Sequence, residues 1–490
     1  MKSDNFLKKF KSTYDGFTIQ ARAAIWFTVC NFLQSGISFL TTPLFTSILT
    51  KAEYGVFNVF LTWQNIITII VTMNLASGVY LRGLVKHDDD EERFSASVQS
   101  LFIVIFAAFS AVLVLFVSFW SEVFKLPELY LYCMMIDMLL GMAYKFWTVR
   151  QRVHYRYKIM VLMTLVNVVL KTGAELFAVY SFEDRVTARI IALVAADMIT
   201  LSVFVAGMIA DSIRGFSSGY WKYALNYNIP LIPHYLSQVV LNQSDRIMIK
   251  NIKGEADAGV YSLAYNLAIA LNILNHAILN SFNPWIYQQI KKKNYKEIRE
   301  KSFRLLLIVA VCCMLLVLLA PEVILIMGSN KYDQAIRVVP PVAVSVYFTF
   351  LYSFFANFEF YFEKNIYMMS ASICAAALNV GLNAVFIPRY GYMAAAYTTL
   401  VCYILYTLFH YIVMRRILYK EIAVKSIYND RHILMLSACV TVAGLALTVL
   451  YAYMAVRLIL FGIIMIIAFI NRNKIMEVLK LKKTKNGDGE

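Results

Sequence analysis

Charged residues are scarce in this chain of 490 residues, since Asp, Glu, Lys and Arg together make up 16% of it. Hydrophobic residues make up 60%, and the mean hydropathy is +0.63. A soluble protein of this length cannot bury so much apolar surface in its core, so the composition excludes that class. We therefore expect a protein whose solvent is a lipid bilayer.

Long polar segments and the common catalytic motifs are also missing. No loop between the apolar runs is long enough to form a separate folded domain. The sequence has neither a GxxxxGK[ST] phosphate loop nor an HExxH motif, so ATP hydrolysis and zinc peptidase chemistry lack their usual parts. We expect a transporter rather than an enzyme, with no cofactor and no metal centre.

Cysteine is infrequent, and its positions indicate neither disulfides nor metal binding. The seven cysteines all fall inside predicted membrane spans, where no metal-ligand spacing and no oxidising loop presents them. We interpret them as small packing residues. They are Cys30, Cys133, Cys312, Cys313, Cys374, Cys402 and Cys439.

Apolar runs recur from one end of the chain to the other. A helix needs about 20 apolar residues to cross the hydrocarbon layer, where it pairs its own backbone groups. The fold class predicted is an all-α integral membrane protein with about fourteen transmembrane helices. The predicted spans are 23-46, 56-81, 97-120, 127-148, 159-180, 187-210, 226-250, 257-287, 303-327, 336-361, 367-387, 392-414, 432-453 and 456-471. No cleavage site of small residues follows the basic N-terminal segment, so we expect no removable signal peptide.

The net charge of +16 is distributed as the positive-inside rule requires. With the N-terminus inside, 34 of the 46 Lys and Arg residues lie in the segments on the cytoplasmic side. This pattern explains the basic composition without nucleic acid. It predicts a multi-pass protein of the bacterial cytoplasmic membrane with both termini in the cytoplasm.

A short repeat indicates two related halves. Residues 53–57 (EYGVF) parallel residues 257–261 (DAGVY), 204 positions later and six predicted helices further along. An even number of helices preserves the orientation in the membrane, so the repeats are expected to be parallel. We predict a six-helix lobe at 1-216, a second at 217-418, and two additional helices with a basic tail at 419-490. The alternative is chance similarity between aromatic-rich helix starts.

The sharpest polar feature lies in the fifth span. Asn167, Lys171 and Glu175 follow each other at four-residue steps and therefore share one helical face. A charge at mid-membrane costs about 2.5 to 3.5 kcal/mol, which makes Lys171 a candidate cavity cation that Glu175 neutralises when no substrate is bound. A purely structural Lys171–Glu175 pair is the alternative. Asp137 and Asp197 are further candidate partners of Lys171.

Two more polar stripes lie in the second half. One consists of His234, Gln238, Asn242 and Arg246 in the seventh span, beside Asp245. The other includes His276 in the eighth span. We expect both stripes to line a substrate cavity, although pairing between Asp245 and Arg246, or snorkelling of either to the membrane surface, is an alternative.

A possible ion-coupling site is suggested by oxygen-bearing side chains on three spans. The side chains of Asp245, Asn379, Asn383 and Thr399 offer the hard oxygen ligands that small cations prefer. Coupling to H⁺ or Na⁺ is therefore a hypothesis for this group. Hydrogen bonding that only holds the helices together is the alternative.

Four segments resemble the Wzx-type polysaccharide biosynthesis flippases of the multidrug/oligosaccharidyl-lipid/polysaccharide exporter superfamily. They are LTKAEYGVFNVF (49–60), NIPLIPHYLSQVVLNQSDRIMI (228–249), DAGVYSLAYNLA (257–268) and LNVGLNAVFIPRYGYMAAAYTT (378–399). The resemblance implies two parallel six-helix bundles plus two C-terminal helices, working by alternating access. It further implies that undecaprenyl-pyrophosphate-linked oligosaccharide repeat units move from the inner to the outer leaflet, in association with polysaccharide assembly proteins.

In that setting Arg22, Lys171 and Arg246 are the candidate cations for a pyrophosphate. A cation-coupled multidrug exporter of the same superfamily is the alternative function, although its usually cationic substrates fit poorly with Lys171 at mid-membrane. A membrane-embedded polymerase or ligase would need a large extracytoplasmic loop, which the sequence does not contain.

Overall fold

The structure is a computed structural model that describes residues 19–213 and 215–472, and these residues are almost entirely helical. Fourteen long helices follow one another along the described chain. They are α1 Ile19–Ile48, α2 Lys51–Thr72, α3 Glu91–Leu115, α4 Glu128–Val153, α5 Tyr157–Ser181, α6 Arg185–Ile213, α7 Ile232–Lys253, α8 Glu255–Lys291, α9 Tyr295–Leu318, α10 Val339–Tyr361, α11 Asn365–Tyr390, α12 Tyr392–Ile422, α13 Asp430–Ala446 and α14 Met454–Ile470.

Each predicted span overlaps one of these helices, and the predicted all-α membrane fold is confirmed. Eleven helical segments within the described ranges are long and apolar enough to cross a membrane. The other three helices are α1, whose described apolar part is Phe39–Ile48, the 17-residue α14, and the polar α7. Eleven of the fourteen spans predicted from sequence thus correspond to clear membrane-crossing candidates among the described residues, whereas α14 is shorter and α7 is more polar.

Shorter helical pieces interrupt several of the predicted spans. The helix Val117–Phe124 follows α3 in the chain, and the helix Ala320–Gly328 follows α9. Pro230 lies in the short 3₁₀ turn Ile229–Leu231, which separates the helix Ser218–Asn228 from α7. Proline lacks a backbone N–H donor and therefore interrupts the helical hydrogen bonding at this point of the seventh span.

Residues 215–219 (GFSSG) have the spacing of the nucleophile turn of hydrolases. That turn joins a strand to a helix, whereas this segment comes after α6, which ends at Ile213, and runs into the helix Ser218–Asn228.

The chain divides into two compact units. Of the described residues, 19–49, 56–213 and 215–236 belong to the first unit, and 50–55 and 237–472 belong to the second. In the first unit, α6 packs against α3, α4 and α5, and α1 packs against α5. In the second unit, α12 packs against α10 and α11, and α10 also packs against α8, α9 and α13.

The helix at the centre of the second unit is α10. Its most apolar 18-residue window is 83% buried, more than that of any other candidate span in the described chain. Aromatic side chains such as Tyr347, Phe350 and Phe354 fill the space around it. Two polar side chains near the end of α10, Asn357 and Glu359, are buried with it.

The repeated glycines contact each other inside the second unit. A Cβ atom on Gly55 would lie 2.0 Å from the carbonyl oxygen of Glu255, and a Cβ atom on Gly259 would lie 2.0 Å from that of Lys51. Such distances are far below van der Waals contact, so both positions require glycine. A reciprocal capping box supports the same segment, because the Thr50 amide donates to Glu53 (2.6 Å) while the Glu53 amide donates to the Thr50 hydroxyl (3.2 Å).

Candidate functional site

Lys171 is the centre of a polar cluster in the first unit. Its Nζ lies 2.6 Å from Asp197 Oδ2 on α6 and 3.8 Å from Asp137 Oδ1 on α4. Asn167, one turn earlier on α5, donates to Asp197 Oδ1 (2.8 Å), and Gln64 on α2 donates to Asp137. Asp137 and Asp197 are thus the partners of Lys171, as the sequence suggested.

Glu175 does not pair with Lys171, so that part of the sequence prediction is wrong. Its Oε2 accepts from Arg189 Nε at 2.9 Å, and the pair is buried. The Arg189 guanidinium lies 3.5 Å from the ring centroid of Phe45 and 3.6 Å from that of Phe57. Arg189, which the two aromatic rings also stabilise, is therefore a better partner for Glu175 than Lys171, which two other carboxylates already hold.

The shared face predicted for the fifth span is nevertheless present. Asn167 and Lys171 both bond to Asp197, and Glu175 bonds to Arg189, so all three side chains meet α6. Two carboxylates around one ammonium leave one excess negative charge when both acids are ionised. The Lys171 side chain is 27% exposed, so the cluster is open on one side.

A second polar cluster is formed by the four residues proposed for ion coupling. The Asp245 carboxylate accepts from Asn383 Nδ2 (2.6 Å), the Thr399 hydroxyl (2.8 Å) and the Tyr261 hydroxyl (2.5 Å). Asn383 also donates to Asn379 Oδ1 at 3.1 Å, and Asn379 donates to Thr399 at 3.3 Å. Asp245, Asn379, Asn383 and Thr399 are each 0% exposed. The structure therefore brings the four residues together, with Tyr261 as a fifth member.

Arg246 is buried beside this cluster but has other partners. Its guanidinium donates to Asn266 Oδ1 at 2.7 Å and lies 5.0 Å from the Tyr265 ring centroid. Its Nε has no hydrogen-bond partner among the described residues. Asp245 and Arg246 have different hydrogen-bond partners and do not pair with each other.

A protein-family model described as "Polysaccharide biosynthesis protein" matches residues 21–289, which is more than half of the chain. The chain belongs to the polysaccharide biosynthesis protein family. A second family model, MatE, matches residues 230–385, which include the Asp245 cluster except for Thr399. Both models agree with the resemblance seen in the sequence.

Two curated relatives of this family member come from Haemophilus influenzae. "Lsg locus putative protein 1" is 24% identical over 41% of this chain and 52% of its own length. An "Uncharacterized membrane protein" is 26% identical over 32% of this chain and 40% of its own length. The matched part of the chain thus spans about half or less of the length of these relatives.

Solved structures place this family member in a transporter fold. "Lipid II flippase MurJ, inward closed conformation" aligns with 92% of this chain and 100% of its own, at 13% identity and a TM-score of 0.64. An inward-facing multidrug resistance MATE family transporter of the MOP superfamily aligns with 80% of this chain and 94% of its own, at 14% identity and a TM-score of 0.56. At such identities the likeness shows the fold, which is that of multi-pass membrane transporters.

The remaining predicted site residues are distributed over both units. Arg22 on α1 and His234 on α7 belong to the first unit, and both are partly exposed. Gln238 and Asn242 belong to the second unit, where Gln238 donates to Tyr406 (3.0 Å) and Asn242 accepts from Tyr403 (2.5 Å). His276 on α8 is exposed. The predicted stripe on α7 therefore supplies contacts to α12 as well as a partly exposed surface.

Sequence reasoning missed Arg189, Tyr261 and the buried pair Glu359–His410. Arg189 on α6 pairs with Glu175 on α5, and a pairing between two helices gives no signal in a single sequence. Glu359 and His410 carried a readable signal, because both are ionisable residues inside the predicted spans 336-361 and 392-414. A search of every predicted span for ionisable side chains would have found them.

Proposed function

We propose that this protein is a flippase that moves undecaprenyl-pyrophosphate-linked oligosaccharide repeat units from the inner to the outer leaflet by alternating access. The observation that carries the proposal is the alignment of nearly the whole chain with a structure titled as a lipid II flippase. Membership of the polysaccharide biosynthesis protein family supports it independently. The setting proposed is the bacterial cytoplasmic membrane, with polysaccharide assembly proteins as partners.

The proposed substrate is an anion on a lipid, and each unit offers a cation for its pyrophosphate. Arg246 has a buried Nε without a described acceptor, and Lys171 is accessible from one side of its cluster. Phosphate binding at Lys171 requires that the ammonium leave Asp137 or Asp197. Export of an anion toward the positive side of the membrane gains about 2.3 kcal/mol per charge per 100 mV, so the membrane potential favours the proposed direction.

The Asp245 cluster is proposed to bind the coupling ion, H⁺ or Na⁺. Oxygen atoms of Asp245, Asn379 and Thr399 fit a small hard cation. Three donors point at the carboxylate, so binding Na⁺ requires that Asn383 turn its amide and present its oxygen. A proton requires no such change in the ligands, because it binds directly to the carboxylate.

Multidrug export is the second candidate function, and one observation favours it. The cluster around Lys171 has two carboxylates and one ammonium, and the resulting negative charge would attract a cationic drug. The MatE family model matches residues 230–385, which gives this reading further support.

A bacterial strain that lacks the protein separates the two functions. Loss of a flippase should leave lipid-linked repeat units in the inner leaflet, where an impermeant glycan-labelling reagent applied to spheroplasts does not reach them. Loss of a drug exporter should instead raise the retention of a cationic dye and leave the glycan labelling unchanged. Complete labelling of the repeat units in the deletion strain would contradict the flippase proposal.

A further inference from the structure

The second unit contains an ionisable pair that the proposed function does not use. Glu359 is two residues from the end of α10, and His410 lies in α12. Both side chains are 0% exposed, and His410 Nδ1 lies 2.6 Å from Glu359 Oε1. A hydrogen bond of this length between two such groups always holds one bridging proton.

Each partner has a second polar atom that is unused. Glu359 Oε2 and His410 Nε2 are buried, and neither has a hydrogen-bond partner within residues 19–213 and 215–472. A buried polar atom without a partner costs about 1–3 kcal/mol, and more when it belongs to a charged group. Such a cost inside a membrane-spanning helix points to a function rather than to packing.

The surroundings of the pair are aromatic and electrically neutral. Tyr352 stacks on the imidazole with ring centroids 5.4 Å apart, and Tyr406 meets it edge-on at 4.5 Å. These two phenols are the titratable ring neighbours of His410 among the described residues, and α7 reaches Tyr406 through the neutral amide of Gln238. No described side chain of α8, α9, α11 or α13 forms an ion pair or a hydrogen bond with the side chain of Glu359 or His410.

The number of bound protons therefore sets the net charge of the pair. A neutral imidazole that donates from Nδ1 to an ionised Glu359 leaves one negative charge with no counter-ion. One further proton, on His410 Nε2 or on Glu359 Oε2, makes the pair neutral overall. Because an uncompensated charge is costly in such a site, the pair binds this second proton more tightly while it is buried and releases it more readily once water reaches it.

We propose that the Glu359–His410 pair is a proton-binding site that loads and unloads during transport. The site takes one H⁺ from water, and the proton binds at one of the two atoms that have no other partner. The inference deepens the function proposed above, because it names H⁺ as a coupling ion and gives it a place separate from Asp245.

A polar seam connects this site to the Asp245 cluster. Thr399, Tyr403, Tyr406 and His410 lie on one face of α12 at steps of four, three and four residues. On α7, Asp245 accepts a hydrogen bond from Thr399 and Asn242 accepts one from Tyr403. Gln238 donates one to Tyr406. The seam between α7 and α12 thus runs from one ionisable site to the other within the second unit, so a shift of either helix disturbs both sites.

Proton counting on the purified full-length protein tests the site without any transport substrate. A weakly buffered detergent solution is titrated from about pH 5 to 9, a range that brackets the ordinary pKa of histidine. Glu359→Gln preserves the shape and accepts the Nδ1 hydrogen bond, but it leaves a neutral pair with no need for a second proton. Between about pH 9 and pH 5, the wild type should take up about one proton per molecule more than this variant.

Glu322→Gln is the matched control, because it alters another ion pair within the second unit. Glu322 accepts from Arg457 (2.5 Å), whose guanidinium does not titrate in this range, so this variant should bind as many protons as the wild type. If Glu359→Gln does not fold, the double variant Glu359→Leu with His410→Phe replaces the pair by apolar groups of similar size, a change that buried pairs often tolerate. Superimposed titration curves of the wild type and either variant of the pair would overturn the proposal.

A pH gradient across proteoliposomes tests coupling. At zero membrane potential, the gradient should change the rate at which the wild type moves a lipid-linked glycan but not the rate of Glu359→Gln. A wild-type rate that ignores the gradient would overturn the coupling. A wild type that moves no glycan contradicts the flippase proposal instead, while proton counting still decides the site.

Discussion

Buried charge is stabilised in two different ways at the residues discussed above. In the first unit, Lys171 on α5 pairs with Asp197 on α6, and Arg189 on α6 pairs with Glu175 on α5. In the second unit, the Asp245 carboxylate is held by neutral donors from α8, α11 and α12. Removing one partner of an ion pair leaves the other charge buried and uncompensated. A carboxylate held by neutral donors can exchange one of these donors for a cation at a lower electrostatic cost.

Replacement of Lys171 tests its role as a substrate cation. Lys171→Ala leaves Asp137 and Asp197 without their ammonium, so we expect a loss of roughly 1–3 kcal/mol of stability, limited by the partial exposure of the lysine. Glycan transfer in liposomes should fall at least about tenfold, equivalent to ~1.4 kcal/mol. Lys171→Arg should retain more activity because it keeps the charge.

A second variant separates stability from substrate binding at this site. Lys171→Ala combined with Asp197→Asn removes the ammonium together with one of its carboxylates. We expect the double variant to regain thermal stability but not transfer. Recovery of transfer in the double variant, or wild-type transfer by Lys171→Ala alone, would remove Lys171 from substrate binding.

Replacement of Asp245 tests ion binding at its cluster. If Na⁺ binds there, the wild type should melt at a higher temperature in Na⁺ than in K⁺, since a ligand at about ten times its Kd adds ~1.4 kcal/mol. Asp245→Asn removes the anionic ligand and should abolish this difference. Identical melting of the wild type in both salts would leave H⁺ as the ion for this cluster.

Spacing within one sequence predicted some of these residues and could not predict others. The oxygen-bearing side chains of Asp245, Asn379, Asn383 and Thr399 were grouped from the sequence, and the structure brings Asn379 and Asn383, four residues apart on α11, together with Asp245. The same four-residue spacing suggested Lys171 and Glu175 as a pair, but each side chain bonds to α6 instead. Helical periodicity gives the direction of a side chain, whereas the identity of its partner depends on which helix packs opposite.

At the scale of helices, the contact between Gly55 and Gly259 decides how closely the first turn of α2, residues 51–55, approaches α8 within the second unit. Gly55→Ala or Gly259→Ala should lower the melting temperature of the detergent-solubilised protein, because the new Cβ atom would overlap a backbone oxygen at 2.0 Å. Gly141→Ala on α4 is the matched control, since a Cβ atom there has nothing within 4 Å.

The control should be neutral or stabilising, because alanine in a helix is favoured over glycine by roughly 0.8–1.0 kcal/mol. Melting of either Gly55→Ala or Gly259→Ala at the wild-type temperature would show that the close approach is not required. The sequence repeat identified both glycines, but only the structure shows that they contact each other.

At the scale of the whole molecule, the distribution of basic residues predicts the orientation in the membrane. Seven Lys and Arg residues lie within 291–304, which should therefore face the cytoplasm. In a cysteine-free background, Lys292→Cys should be protected from an impermeant maleimide in intact cells. Ser329→Cys, which follows the helix Ala320–Gly328 after α9, should be labelled. The reverse pattern would contradict the predicted topology.

The all-α membrane fold could be predicted from the sequence because hydropathy and spacing are properties of each segment alone. The second unit shows the limit of that approach, since α7 is too polar to qualify by hydropathy yet packs its Gln238, Asn242 and Asp245 side chains against α12. Polarity is tolerated in a membrane helix when a neighbouring helix satisfies it. Such compensation depends on tertiary packing, which a single sequence does not show.

Movement of a lipid-linked glycan between leaflets is the central claim, and reconstitution measures it directly. The purified protein is placed in liposomes with an undecaprenyl-pyrophosphate oligosaccharide, and the appearance of the glycan on the opposite leaflet is followed with and without an imposed potential. We predict transfer that depends on the protein and is faster when the receiving side is positive. Absence of protein-dependent transfer for several glycans, together with uptake of a cationic dye by the same liposomes, would contradict the claim and favour drug export.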